Sequence, residues 1–148
     1  MTPELSEEYL LAGIIARRTT QYLPAPPPEL QKRHIHIIRI CYKLSLELDE
    51  VRVSDVAEKI NVTLPSITRN ITTLEENGYL RKEESTKDKR VINIILTDKG
   101  VALYKEYVCD LHKTNSELLK DIPEEDIRVT IKTFHEIYRL MEEEYTES

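Results

Sequence analysis

The sequence predicts a mainly α-helical domain carrying one small β-hairpin, on three observations. Apolar residues recur at three- and four-residue steps through most of the 148 residues. Glycine occurs three times and four of the seven prolines gather in one elbow, which leaves long stretches free of helix breakers. Residues 79–96 alone have strand character, on both sides of a charged tip.

The first helix is expected over residues 6–22, with Ser6 as cap and Tyr9, Leu10, Gly13, Ile14 and Arg17 at helical spacing. Leu23-Pro24-Ala25-Pro26-Pro27-Pro28 follows, where missing amide donors and a fixed φ make a stiff extended elbow. It reads as a connector, a ligand for a proline-binding domain being the sharper alternative. A second helix is expected over 29–48, its stripe made by Leu30, Ile37, Ile38, Cys41, Leu44 and Leu48. After a polar break at Asp49-Glu50, Val53, Val56, Ala57 and Ile60 mark a short third helix.

Asn61 tolerates left-handed geometry and suits a tight turn. Thr63 caps the next helix, over 64–77, where Pro65 is tolerated in the first turn and Gly78 stops it. Ile67, Ile71 and Leu74 form its buried stripe, leaving Ser66, Thr68, Arg69, Asn70, Thr72 and Thr73 on the other faces. Two short helices joined by such a turn make a helix-turn-helix. The hairpin comes next, with Ile92, Ile94 and Leu96 on one face of its returning strand. Thr97 starts a long helix expected to run to about Ile122, and the acids after Pro123 open a last helix ending near Glu144.

Composition narrows the function classes. The longest apolar run, residues 10–16, is far below the ~20 residues of a membrane span. The acidic start does not resemble a secretory signal, so a cytoplasmic protein without a membrane partner is expected. Cys41 and Cys109 read as reduced thiols with no adjacent base to activate them, and a redox switch is disfavoured. Isolated glycines exclude a phosphate-cradling loop, no serine elbow appears, and no two of the four histidines have ligand spacing. No enzyme, metal or cofactor is expected. The net charge of −6 argues against a polyanion until it is divided: −1 for residues 1–50, +1 for 51–100 and −6 for 101–148. A middle segment without excess acid can approach DNA while an acidic tail stays away.

The order of helices and hairpin is that of a winged helix-turn-helix embedded in a helical frame. At Val53-Ser54-Asp55-Val56-Ala57, Ser66-Ile67-Thr68-Arg69, Leu74-Glu75-Glu76-Asn77-Gly78-Tyr79-Leu80-Arg81, Asp88-Lys89-Arg90 and Leu96-Thr97-Asp98-Lys99-Gly100, the sequence resembles the MarR family of bacterial transcription regulators. The resemblance covers nearly the whole chain. It implies one domain, with a DNA-binding lobe over 49–97 and a dimerisation frame over 1–48 and 98–148.

The physics of the fourth helix agrees. Reading base edges in a major groove takes short polar side chains and an Arg or Asn able to form paired hydrogen bonds. Ser54, Ser66, Thr68, Arg69, Asn70 and Thr73 are the helical candidates, with Arg69 favoured over Asn70 because Ile71 beside it must point inward. On the hairpin the candidates are Lys87, Asp88, Lys89 and Arg90. An arginine suits the negative minor groove, and a carboxylate can hold its guanidinium ready. The resemblance assigns those roles to Arg90 and Asp88.

One winged helix buries too little DNA for selective binding, so a homodimer on a palindromic operator is expected. Apolar residues of the first and the last two helices, Leu10, Ile14, Val108, Leu111, Ile127, Ile131, Phe134, Ile137, Tyr138 and Met141 among them, supply stripes for it, and the resemblance puts the interface there. The plainer reading is intrachain core, which some of them must serve. Family resemblance also implies repression relieved by a small aromatic or phenolic effector. Tyr9, Arg17, His34 and Tyr42 are its candidate contacts, ordinary interface residues being the plainer reading. The rival function is a winged helix that binds an acidic protein in place of DNA.

Overall fold

Thr2 starts the chain's first helix, and four residues earlier than the polar pattern suggested. In the computed structural model, which describes residues 1–146, α1 spans Pro3–Arg18. Thr2 Oγ1 accepts from the Leu5 amide at 3.2 Å, and Pro3 occupies a first-turn position that needs no amide donor. Ser6 is therefore inside the helix. The expected end at Tyr22 is a separate turn of 3-10 helix, Thr19–Tyr22, in which Thr19 and Thr20 hydroxyls bond back to Ala16 and Arg17 carbonyls. No residue of α1 is buried.

α2 (Lys32–Glu47) begins later than expected, because the elbow's last turn closes with Leu30 N donating to Pro27 O. Leu30 is nonetheless core. α3 (Val53–Ile60) ends on Asn61, whose φ of 59° is the left-handed turn expected of it. α4 (Leu64–Glu76) follows after two residues and stops at Gly78, with φ 78°. β1 (Leu80–Glu84) pairs antiparallel with β2 (Ile92–Leu96), Leu80 opposite Leu96 and Glu84 opposite Ile92.

The core is one cluster drawn from α2, α3, α4, the hairpin and the following helix. Ile38, Val56, Ile67, Ile71, Leu74 and Leu80 are its least exposed side chains. β2 departs from its expected alternation: Ile94 is buried, Ile92 is exposed and the polar Asn93 is buried. An isolated bridge brings residues 51–52 against this strand, Asn93 pairing with Arg52 and Ile94 N donating to Val51 O at 2.7 Å.

The expected long helix is broken into pieces. α5 (Asp98–Tyr104) is capped by Thr97, whose hydroxyl accepts from Gly100 N at 3.2 Å. A π-helical segment (Lys105–Asp110) follows, then α6 (Leu111–Leu118), so the faces read off a uniform 3.6 period do not run through. The helix ends before Ile122. α7 (Glu124–Thr146) carries three acids in its first turn, with Arg128 bound to Glu124. The chain divides into two compact units, residues 1–108 and 109–148, and among the described residues no helix is long and apolar enough to cross a membrane.

Candidate nucleic-acid interface

α4 is positioned by burial. Ile67, Ile71 and Leu74 are at most 1% exposed, so the rotation of the helix about its axis is set by the core and Arg69 is left on the outside. Its C-terminal end is clamped as well. Tyr79, buried after Gly78, donates its hydroxyl to Glu29 Oε1 at 2.6 Å, while Lys99 Nζ lies 4.2 Å from the Tyr79 ring centroid and donates to Asn77 O at 2.8 Å. Burial and the Glu29 bond push the Tyr79 hydroxyl up to about 12, and the same bond holds Glu29 below the usual carboxylate range. Gly100 completes the clamp, since a Cβ there would lie 2.0 Å from Tyr79 O.

The candidate contacts on the helices fall into distinct environments. Ser54, Thr68 and Arg69 are exposed, and Ser66 and Thr73 are half-buried. The Thr68 and Thr73 hydroxyls bond back to the Leu64 and Arg69 carbonyls, at 2.7 and 3.2 Å, keeping their lone pairs as acceptors. Asn70 is engaged on both sides of its amide. Its Oδ1 accepts from Arg33 Nε at 2.8 Å and its Nδ2 donates to Ser66 O at 2.9 Å. Each atom keeps one further position, since the amide oxygen has two lone pairs and the nitrogen two protons, but the two bonds fix the plane in which Asn70 can use them.

The hairpin tip presents cations on a polar tether. Arg90 bonds Asp88 through both Nε and Nη2, each at 3.1 Å, and Arg90 N also donates to Asp88 Oδ1 at 3.0 Å. The guanidinium stays about 90% exposed, and its bonds hold the Asp88 carboxyl below its ordinary value. Lys89 is exposed, and Lys87 lies 3.8 Å from Asp49 in a solvated pair. Two residues that sequence reasoning missed hold this tip. Glu50, after α2, accepts from Ser85 Oγ at 2.7 Å and from Thr86 N at 3.2 Å; the buried Ser85 Oγ accepts from Lys87 N and Asp88 N. Those bonds, the Ser85 hydroxyl first, hold the Glu50 carboxyl below the usual range. No local pattern announces a contact between residues 35 positions apart.

The effector candidates lie in separate settings. Tyr9 is half-buried and Arg17 exposed on α1. His34 is buried at the start of α2, where Nδ1 accepts from the Gln31 amide at 2.9 Å and burial holds its pKa down. Tyr42 stacks on Tyr104 with ring centroids 3.9 Å apart and borders a cavity of about 360 Å³ lined also by Cys41, Glu50 and Asn93. Burial pushes the Cys41 thiol up to about 12, while Cys109 is exposed. Among the described residues no group of three His, Cys, Asp or Glu side chains is arranged to hold a metal.

Comparison with known proteins places this geometry. Residues 30–92 match the MarR family model. The chain is similar to Staphylococcus aureus MarR in complex with salicylate and kanamycin, at 21% identity over 96% of this chain and 95% of that one, with a TM-score of 0.71. It is similar to Streptococcus pneumoniae FabT in complex with DNA, at 21% identity over 96% and 99% of the two chains and a TM-score of 0.67. An S. aureus MepR–DNA complex matches at 16% identity over 95% and 99%, with a TM-score of 0.66. The matched stretch holds α2, both helices of the helix-turn-helix and the hairpin as far as the first residue of β2.

Proposed function

We propose that this chain is a cytoplasmic, sequence-specific double-stranded DNA-binding transcription regulator, a binding protein with no catalytic role. The observation that carries the reading is the pairing of two devices on one lobe: an outward Arg69 on a helix rotated into place by the core, and a hairpin arginine preorganised by Asp88. In the bound state α4 lies in the major groove, where Arg69 reads a guanine edge or clamps a phosphate and Ser66, Thr68 and Thr73 supply shorter contacts, while Asn70 stays bonded to Arg33 and Ser66. Ser54 approaches from α3. The tip enters the adjacent minor groove with Arg90, flanked by Lys87 and Lys89. Residues 49–97 act as the reading lobe, and 1–48 with 98–148 as the dimerisation frame.

A homodimer on a palindrome follows from the same reading, because one lobe offers too few base contacts for selectivity. Exposed apolar side chains on α1 and on α7, among them Leu10, Ile14, Ile127, Ile131, Tyr138 and Met141, support it. Repression relieved by a small aromatic or phenolic effector belongs to the same reading; the salicylate in the similar S. aureus MarR structure supports the aromatic class, and Tyr42 with the cavity beside it is the first place to look among Tyr9, Arg17, His34 and Tyr42. Selection of bound duplexes from a random pool tests the proposal. A palindromic consensus whose retention falls steeply with salt is expected. Failure to retain any duplex, alongside capture of an acidic protein, would replace it with the protein-binding alternative.

A further inference from the structure

The two flanks of α4 differ. At about 100° per residue, Arg69 lies nearly opposite the buried stripe, Ser66, Asn70 and Thr73 share one flank, and Thr68 and Glu75 share the other. The second flank is the wing side: Glu75 pairs with Lys82 of β1 at 2.8 Å, and Thr68 borders a groove shared with Arg52, Ser54 and Ile92. The first flank meets α2, where Arg33 Nε reaches Asn70 Oδ1 from 37 positions away.

Arg33 is exposed and, among the described residues, pairs with no carboxylate. Its charge is therefore uncompensated, although its direction is constrained. The bond to Asn70 engages Nε, the bond from Asn70 to Ser66 O fixes the acceptor, and both terminal nitrogens remain available as donors. A helix in a major groove about 12 Å wide has a phosphate strand along each flank. The wing and its cations serve the strand on one side, and Arg33 stands on the other.

We infer that Arg33 is a further DNA contact, a phosphate clamp on the flank of α4 turned away from the wing, with Asn70 as its positioning residue. The inference rests on the regulator reading above. A phosphate is the target because Arg33 lies beside the helix and not on its outer face, so it adds affinity without selecting a base. Arginine is required for the arrangement, since lysine has no second nitrogen to anchor while its charged end binds.

The test compares Arg33→Ala, Arg33→Lys and Asn70→Ala with the unaltered protein on two duplexes, the pool-selected operator and a scrambled duplex of the same length, across a salt series. Arg33→Ala should bind both about tenfold more weakly, with the slope of log affinity against log salt shallower by about 0.9 per subunit and an unchanged melting temperature. Arg33→Lys should keep the slope and lose part of the affinity, which also covers the case of a misfolded alanine variant. Asn70→Ala should weaken binding with the slope retained. An unchanged slope in Arg33→Ala, or a loss confined to the selected operator, would overturn the clamp while leaving the regulator reading intact. Failure of the unaltered protein to bind either duplex would end both.

Discussion

α4 and the hairpin tip sit on one lobe but are held by different forces. α4 rests on Ile67, Ile71 and Leu74, all effectively without solvent contact. At the tip, Ser85 is the one buried side chain among residues 85–91, and the backbone is held by hydrogen bonds that converge on Glu50, Ser85 and Asp88. Apolar packing is indifferent to salt and to mild acid, whereas a solvated carboxylate tether responds to both. The helix is thus rigidly seated and the tip adjustable, because separating exposed polar groups returns them to water at small cost.

The largest expected effect attacks the packing. Ile71→Ala should cost about 2–5 kcal/mol of stability in denaturant melts, since the site is fully buried; a loss under ~1 kcal/mol, well short of that range, would mean α4 is not seated by its core face. Next is the clamp behind the helix. Alanine is intrinsically better than glycine in a helix by about 1 kcal/mol, yet at position 100 its Cβ meets backbone that no rotamer change can move. Gly100→Ala should therefore lower stability by about 1–3 kcal/mol, and a stabilised variant would refute the close approach.

The tip should behave in the opposite way. Arg90→Ala is expected to weaken DNA binding about tenfold while the melting temperature stays within error, because the side chain is exposed; unchanged affinity would leave the wing without a role. The smallest effect sharpens the contrast through pH. Glu50 and Asp88 both have folded-state values below their ordinary 4.5 and 3.8. Their contribution is complete above those ordinary values and is lost as pH falls through the lower folded ones. Protection of the Thr86 and Lys87 amides should decline there while α4 stays protected, and Glu50→Gln should remove most of that pH dependence. Parallel loss in both elements would show that the tip is packed as firmly as the helix.

Much of the fold was legible because its signals are local. Asn61 and Gly78 mark the two left-handed turns, and Ile67, Ile71 and Leu74 mark the buried face of α4. The failures also have local causes. Thr2 with Pro3 outcompeted Ser6 as the start of α1, and the π-helical segment after Tyr104 breaks a periodicity that looked continuous. Ile92 is exposed where alternation put it on one face with Ile94 and Leu96, on a strand whose other edge is bridged at Arg52 by residues from before α3. At the candidate interface, residue types and order on α4 and the tip were readable; the partners that aim them were not.

The order of polar and apolar residues by itself determined that α4 has an inner stripe and an outward arginine, because helical spacing converts a linear pattern into faces. It also determined a charged hairpin tip. Only the tertiary structure decided that Asn70 is occupied by Arg33, that Glu50 anchors the tip through Ser85, and that Tyr79 ties Glu29 to the end of α4. Those contacts join residues 35 to 50 positions apart. Their geometry depends on how the core packs the elements together, and spacing along the chain carries no record of it.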